Sequence, residues 1–118
     1  AFIAEAPRWA FVLGGLSGAL AVFMDAMGSY LRARGGIAAQ DQRLTRAYQT
    51  GVFYHLLHSL VIVVSGLHHS ALPCVLFTLG VALFSGSLYA IYFDQRFGAL
   101  TPVGGVLLIL AWIALVLS

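Results

Sequence analysis

Four long apolar stretches separated by short polar ones organise this chain, at about 9–30, 48–67, 72–93 and 101–118. A helix that crosses a bilayer needs about 20 apolar residues, so each stretch predicts one span and a chain of this length holds no more. In the first, Trp9 and Tyr30 stand where amphipathic rings suit the two membrane interfaces. Gly14, Gly18, Ala21, Asp25 and Gly28 recur at helical spacing on one stripe, and Gly14 with Gly18 forms a G-x-x-x-G pair. Small side chains let a second backbone approach, so this stripe is expected to face protein, with Gly14 and Gly18 as packing residues. Asp25 falls on it as an ionisable group within a span, a proton or ion site if solvated inside, although the preferred reading is an acid about a turn from the water that snorkels or pairs with Arg32 or Arg34.

Residues 31–47 form the one sizeable polar connector. Gly35 and Gly36 are expected to break the first helix, leaving Ile37 to Ala47 as an amphipathic piece on the membrane surface. The second span opens with F-Y-H-L-L-H-S-L, which puts Tyr54, His55, His58 and Ser59 on one inward arc. His55 and His58 at i, i+3 suit a metal or haem only with further ligands, and hydrogen-bonded packing is the reading preferred for both. His68 and His69 lie past the end of this span, about 15 Å from His55 at the helical rise, and close no site with it.

The brief G-L-H-H-S-A-L-P connector makes the second and third spans antiparallel neighbours. Thr78, Ala82, Ser85, Tyr89 and Tyr92 make a stripe along the third, and Ala82, Gly86 and Ala90 a small-residue series beside it. Tyr89 is expected to donate its hydroxyl to His58 or to a carbonyl across the bundle. After D-Q-R-F-G, Thr101 is expected as N-cap and Pro102 as N1 of the fourth span, whose Gly104 and Gly105 permit close approach to a neighbour. The expected fold is an all-α, integral membrane four-helix transmembrane bundle in a single domain, residues 1–118.

Composition adds two exclusions. Only 8% of the 118 residues are charged, against about 25% in soluble domains. With a mean hydropathy of +0.96, the chain cannot coat a soluble globule. Six arginines are too dispersed for a nucleic-acid groove, so no nucleic-acid partner is expected. A single cysteine, Cys74, within an apolar run is expected to be inert packing. The chain starts without methionine, so a targeting segment removed before Ala1 is compatible with it.

The arginines do carry topology. With four spans, Arg32, Arg34, Arg43, Arg46 and Arg96 share one side and Arg8 alone lies on the other. The positive-inside rule puts both termini outside, in the periplasm or intermembrane space. Arg32, Arg34, Arg43 and Arg46 are candidates for lipid headgroups, cardiolipin included, each worth about 1 kcal/mol near an anionic surface.

The blocks L-G-G-L-S-G-A (13–19), T-G-V-F-Y-H-L-L-H-S-L (50–60), L-F-S-G-S-L-Y (83–89) and L-T-P-V-G-G-V (100–106) run in order along the whole chain. Together they resemble the small four-span membrane family catalogued as domain of unknown function 423, which has bacterial inner-membrane and mitochondrial members. His58 matches that family's H-[ST]-L block, and Ser85, Gly86, Tyr89, Pro102, Gly104 and Gly105 match the later ones. The family's first helix ends in Gly-Ala-His where this chain has Gly28, Ser29 and Tyr30, and small residues are usual at the position of Asp25. A role tied to that histidine therefore does not carry over.

The residues contain no nucleophile–base pair or phosphate loop, so an enzyme is not expected, nor any cofactor or metal beyond structural lipids. The function expected is that of an accessory or structural subunit among other integral membrane subunits of an inner-membrane, energy-transducing complex, with the mitochondrial inner membrane preferred to the bacterial one. The alternative is a small transporter, channel, or lipid- or quinone-binding protein using a polar seam of His58, Tyr89, Ser85, Asp25 and His55.

Overall fold

A computed structural model describes residues 8–35, 41–67 and 71–118. Four α-helices follow one another: α1 (Arg8–Arg34), α2 (Gln42–Gly66), α3 (Ala71–Ala90) and α4 (Thr101–Leu117), with a 3-10 turn at Gln95–Leu100 leading into α4. With that turn counted into α4, all four are long and apolar enough to cross a membrane. The fold is an all-α integral membrane four-helix array.

The helix ends follow from local chemistry. Gly35 terminates α1 in the left-handed region (φ +80), its N–H returning to the Arg32 carbonyl at 3.1 Å. Asp41 starts α2 by accepting the Arg43 backbone N–H at 2.9 Å, and that bond holds its carboxyl below the usual carboxylate range. Helix α2 thus begins at Gln42, six residues before the expected span, and absorbs much of the segment expected to lie flat on the membrane. Residues 36–40 and 68–70, with Gly36, His68 and His69, fall outside the described residues, as do residues 1–7.

Helix α3 stops at Ala90, short of the expected Phe93, and the chain turns at Asp94. Leu100, not Thr101, is the N-cap of α4. The Thr101 hydroxyl is engaged instead with Ser87 on α3 at 2.6 Å, which serves packing rather than capping.

Each helix makes its main contacts with its neighbours in sequence, α1 on α2, α2 on α3 and α3 on α4. Small residues set these crossings. A Cβ on Gly14 would strike Val63 of α2, one on Gly28 would strike the Tyr48 ring, and one on Gly104 would run into the Phe84 backbone of α3. The G-x-x-x-G stripe of α1 therefore packs inside this chain, with Gly14, Ala21 and Gly28 buried and Gly18 half-buried against Ser59. Gly80, facing Leu108, is a further tight crossing and Gly51, facing Leu88 and Tyr89, a close one, and no repeat in the sequence singled out either. Ile62, Phe77, Val81, Leu108 and Ala111 form the core between α2, α3 and α4, and α1 lies outside it as an edge helix.

Candidate binding groove

Because α1 and α3 both flank α2 without closing on each other, a groove of about 370 Å³ runs between them with α2 as its floor. Leu13, Leu16 and Leu20 make one wall, while Thr78, Ala82, Gly86 and Tyr89 make the other. The stripe read on the third span is therefore real in its first four members, with Ser85 in the floor corner and Tyr92 beyond the helix end. Gly86 packs against nothing: a Cβ there would meet no atom within 4 Å. Its expected packing role is not used within this chain. A Cβ on Gly105 would make only ordinary contact, 3.7 Å from the Phe84 ring, whereas Gly104 is closely packed.

The two histidines divide the polar work in a way the sequence did not order. His58 is 3% exposed, with Nδ1 2.8 Å from the Tyr54 carbonyl and Nε2 3.2 Å from the Trp112 indole nitrogen. A carbonyl can only accept and an indole N–H can only donate, so His58 carries its proton on Nδ1 and both nitrogens are used. It is a neutral tie between α2 and α4. Ligation of a metal or haem through His58 would break one of these bonds. The expected Tyr89–His58 pair does not form: both His58 nitrogens are engaged by Tyr54 and Trp112, and the Tyr89 hydroxyl meets the other histidine.

Tyr89 meets His55 instead, its hydroxyl 2.9 Å from Nδ1. Ser59 donates to the His55 carbonyl at 2.6 Å, and Ser17 of α1 reaches the Ser59 hydroxyl at 2.6 Å. Ser85 donates to the Gly51 carbonyl at 2.8 Å, which ties α3 to α2. The seam thus joins His55, Tyr89, Ser17 and Ser59 along the groove, with His58 outside it. Ser17 escaped sequence reasoning, although its place one residue before Gly18 on the α1 stripe was the available signal.

Asp25 is exposed rather than buried on the protein-facing stripe, and it is not bridged to arginine. Arg32 donates to Ser29 and Arg34 to Tyr30, because those partners sit one helical turn away on α1. Of the headgroup candidates, Arg43 pairs with Asp41 at 3.5 Å and Arg46 borders a shallow surface hollow with Thr50 and Phe53. Cys74 is buried against Ser65, 3.0 Å away, as a packing residue. Among the described residues, no three His, Cys, Asp or Glu side chains converge on a metal-sized site.

Fold and groove together define a small four-span integral membrane protein with a groove between its first and third helices. The family described as "Protein of unknown function (DUF423)" matches residues 24–105, and the chain belongs to it. It is 34% identical to the UPF0382 membrane protein YwdK of Bacillus subtilis, covering 91% of this chain and 92% of that one. A UPF0382 membrane protein of Schizosaccharomyces pombe is 31% identical over 82% of this chain and 89% of its own length. A Staphylococcus epidermidis member is 31% identical with 91% of each chain covered. No solved structure matches the chain.

Proposed function

We propose that this protein is a non-catalytic accessory subunit of a larger assembly in an energy-transducing inner membrane. The observation that carries this reading is a shallow trough on the side of α1 away from the Tyr89 groove, lined by Gly15, Gly18, Ala19 and Val22 of α1 with Leu56, Leu60 and Val63 of α2. A Cβ at Gly15 would meet nothing within 4 Å, so the Gly15–Ala19 small-residue pair has no partner inside the chain. Among membrane helices, close packing and hydrogen bonds replace the hydrophobic drive, and such pairs are where a second helix gains most contact.

The antiparallel order of the helices gathers Arg32, Arg34, Arg43, Arg46 and Arg96 at one end. This supports an orientation with that end in the matrix or cytoplasm and the termini on the opposite side. Anionic lipids such as cardiolipin would meet these arginines, and the mitochondrial inner membrane is the proposed location, with the bacterial inner membrane as the alternative. The test is extraction of the native protein in a lipid-preserving polymer, followed by sizing and identification of co-purifying chains. The reading expects a larger particle that Gly15→Leu releases while leaving the helical content unchanged; recovery of the free monomer alone overturns it.

A further inference from the structure

We infer that the groove between α1 and α3 binds a quinone, a neutral lipophile with a carbonyl-bearing ring, seated with one carbonyl oxygen on Nε2 of His55. The inference stands apart from the accessory role and applies to the free protein and an assembled one alike.

The argument starts from hydrogen-bond satisfaction. Among the described residues, the Tyr89 hydroxyl has a single partner, Nδ1 of His55, and we assign the hydroxyl as the donor of that bond. His55 then carries its own proton on Nε2. That nitrogen has no partner among the described residues, and it is absent from their sealed, unsatisfied polar atoms, of which Thr45 supplies the sole case. His55 is 5% exposed and lines the groove. A nearly buried N–H thus reaches the groove with nothing to donate to, an unfavourable state that an arriving acceptor relieves.

Depth and charge then select the acceptor. His55 lies seven residues beyond Tyr48 along α2, about 10 Å further from the arginine-rich end. Ester and phosphate oxygens of ordinary phospholipids stay at the interface, so an acceptor at His55 must travel on a head soluble in the hydrocarbon. No cation is among the residues that line the groove, so an anionic head there would be buried without a partner. A neutral carbonyl is what remains.

Shape agrees with this. The volume of about 370 Å³ lies within the range of small-molecule sites, which are mostly apolar with few convergent polar groups. It is far too small to seat the body of a second membrane helix. Ala82 and Gly86 leave a low wall opposite Leu16 and Leu20 where a flat ring can lie, and the tail leaves toward lipid.

The test uses the full chain in nanodiscs with a decyl-substituted benzoquinone bearing a photoreactive group. Saturable binding is expected, with crosslinks on α1 or α3 residues of the groove. His55→Phe is expected to weaken binding at least tenfold, and Gly86→Leu, which fills the groove from an open position and should not perturb folding, to abolish it. His58→Phe should leave the affinity unchanged, within about twofold. Nitrogen NMR of histidine should show the His55 Nε2–H resonance moving on titration while that of His58 stays still. Binding that survives both His55→Phe and Gly86→Leu overturns the inference. So does equal displacement by decylbenzene, which lacks the carbonyl, or by a fatty-acid anion, and so does an absence of saturable binding above the lipid background.

Discussion

Trp112 of α4 donates its indole N–H to Nε2 of His58 on α2 across 3.2 Å, bridging two helices that are not neighbours in sequence. The same indole stands edge-on to Phe77 of α3 at a centroid distance of 5.2 Å. One side chain therefore fixes the relative rotation of three helices. Replacing it by Phe keeps most of the ring contact and removes the donor, leaving a nearly buried imidazole nitrogen unpaired. Hydrogen bonds between membrane helices average about 0.6 kcal/mol and reach about 1.7. Trp112→Phe is expected to destabilise by about 1 kcal/mol, read from reversible unfolding in mixed micelles. In a double-mutant cycle with His58→Phe, a coupling near zero would show that the bond contributes nothing.

Glycine positions should separate sharply in a substitution series. A Cβ on Gly104 would lie 2.7 Å from Phe84 Cα, and backbone cannot yield as a flexible side chain can. Gly104→Ala is therefore expected to push α4 off α3 and cost about 1–3 kcal/mol, as overpacking of a tight core does. Gly86→Ala, with open space around it, should be neutral or slightly stabilising through helix propensity. Thermal unfolding of the two variants checks the contrast. Equal stability in both would mean that the α3–α4 crossing is looser than described.

This contrast also shows what could be read from the letters. Hydropathy located four helices because length and apolarity are properties of each segment alone, and the Gly14–Gly18 pair marked a true packing face because both partners lie on one helix. Partner assignments between helices failed where two candidates sat one turn apart. His55 and His58 differ by 300° on the α2 surface at the usual 100° per residue, a 60° separation, and only the placement of α3 and α4 decides which one meets Tyr89 and which meets Trp112. Gly80 and Gly51 belong to no repeat, so their close crossings emerge only from three-dimensional packing. Asp25 sits exposed although its stripe was expected to face protein, for a related reason: α1 is an edge helix, covered along less of its circumference than its small-residue stripe suggested.

The attachment of that edge helix rests on few polar ties. The Tyr48 hydroxyl donates to the Met24 carbonyl near the arginine-rich end, and Ser17 pairs with Ser59 deeper in the bilayer. Tyr48→Phe with Ser17→Ala should loosen α1 selectively, at a combined cost of about 1–2 kcal/mol if each tie has the usual membrane value. Hydrogen exchange would show it as faster exchange across 20–28 with α3 and α4 unchanged. Uniform loss of protection over all four helices would instead mean that α1 and the three-helix core unfold as one unit.

The turn between α3 and α4 supplies a pH-dependent element in water. Asp94 accepts from the Arg96 side chain at 2.8 Å and from its backbone N–H at 3.0 Å. The guanidinium first, then the backbone donor, hold the Asp94 carboxyl below the usual carboxylate range. A carboxylate with a depressed folded value contributes order that is complete above its unfolded value, about 3.9, and is lost as pH falls through the lower folded value. The protection of the Arg96 amide should therefore be flat from neutral pH to about 4 and decline below it. Asp94→Asn keeps an acceptor for that amide without the titrating charge, so its profile should stay level, whereas Asp94→Ala should lose protection at every pH. Exchange measured on full-length protein in nanodiscs separates the three cases, and a wild-type profile as level as that of Asp94→Asn would remove the carboxylate from the account of this turn.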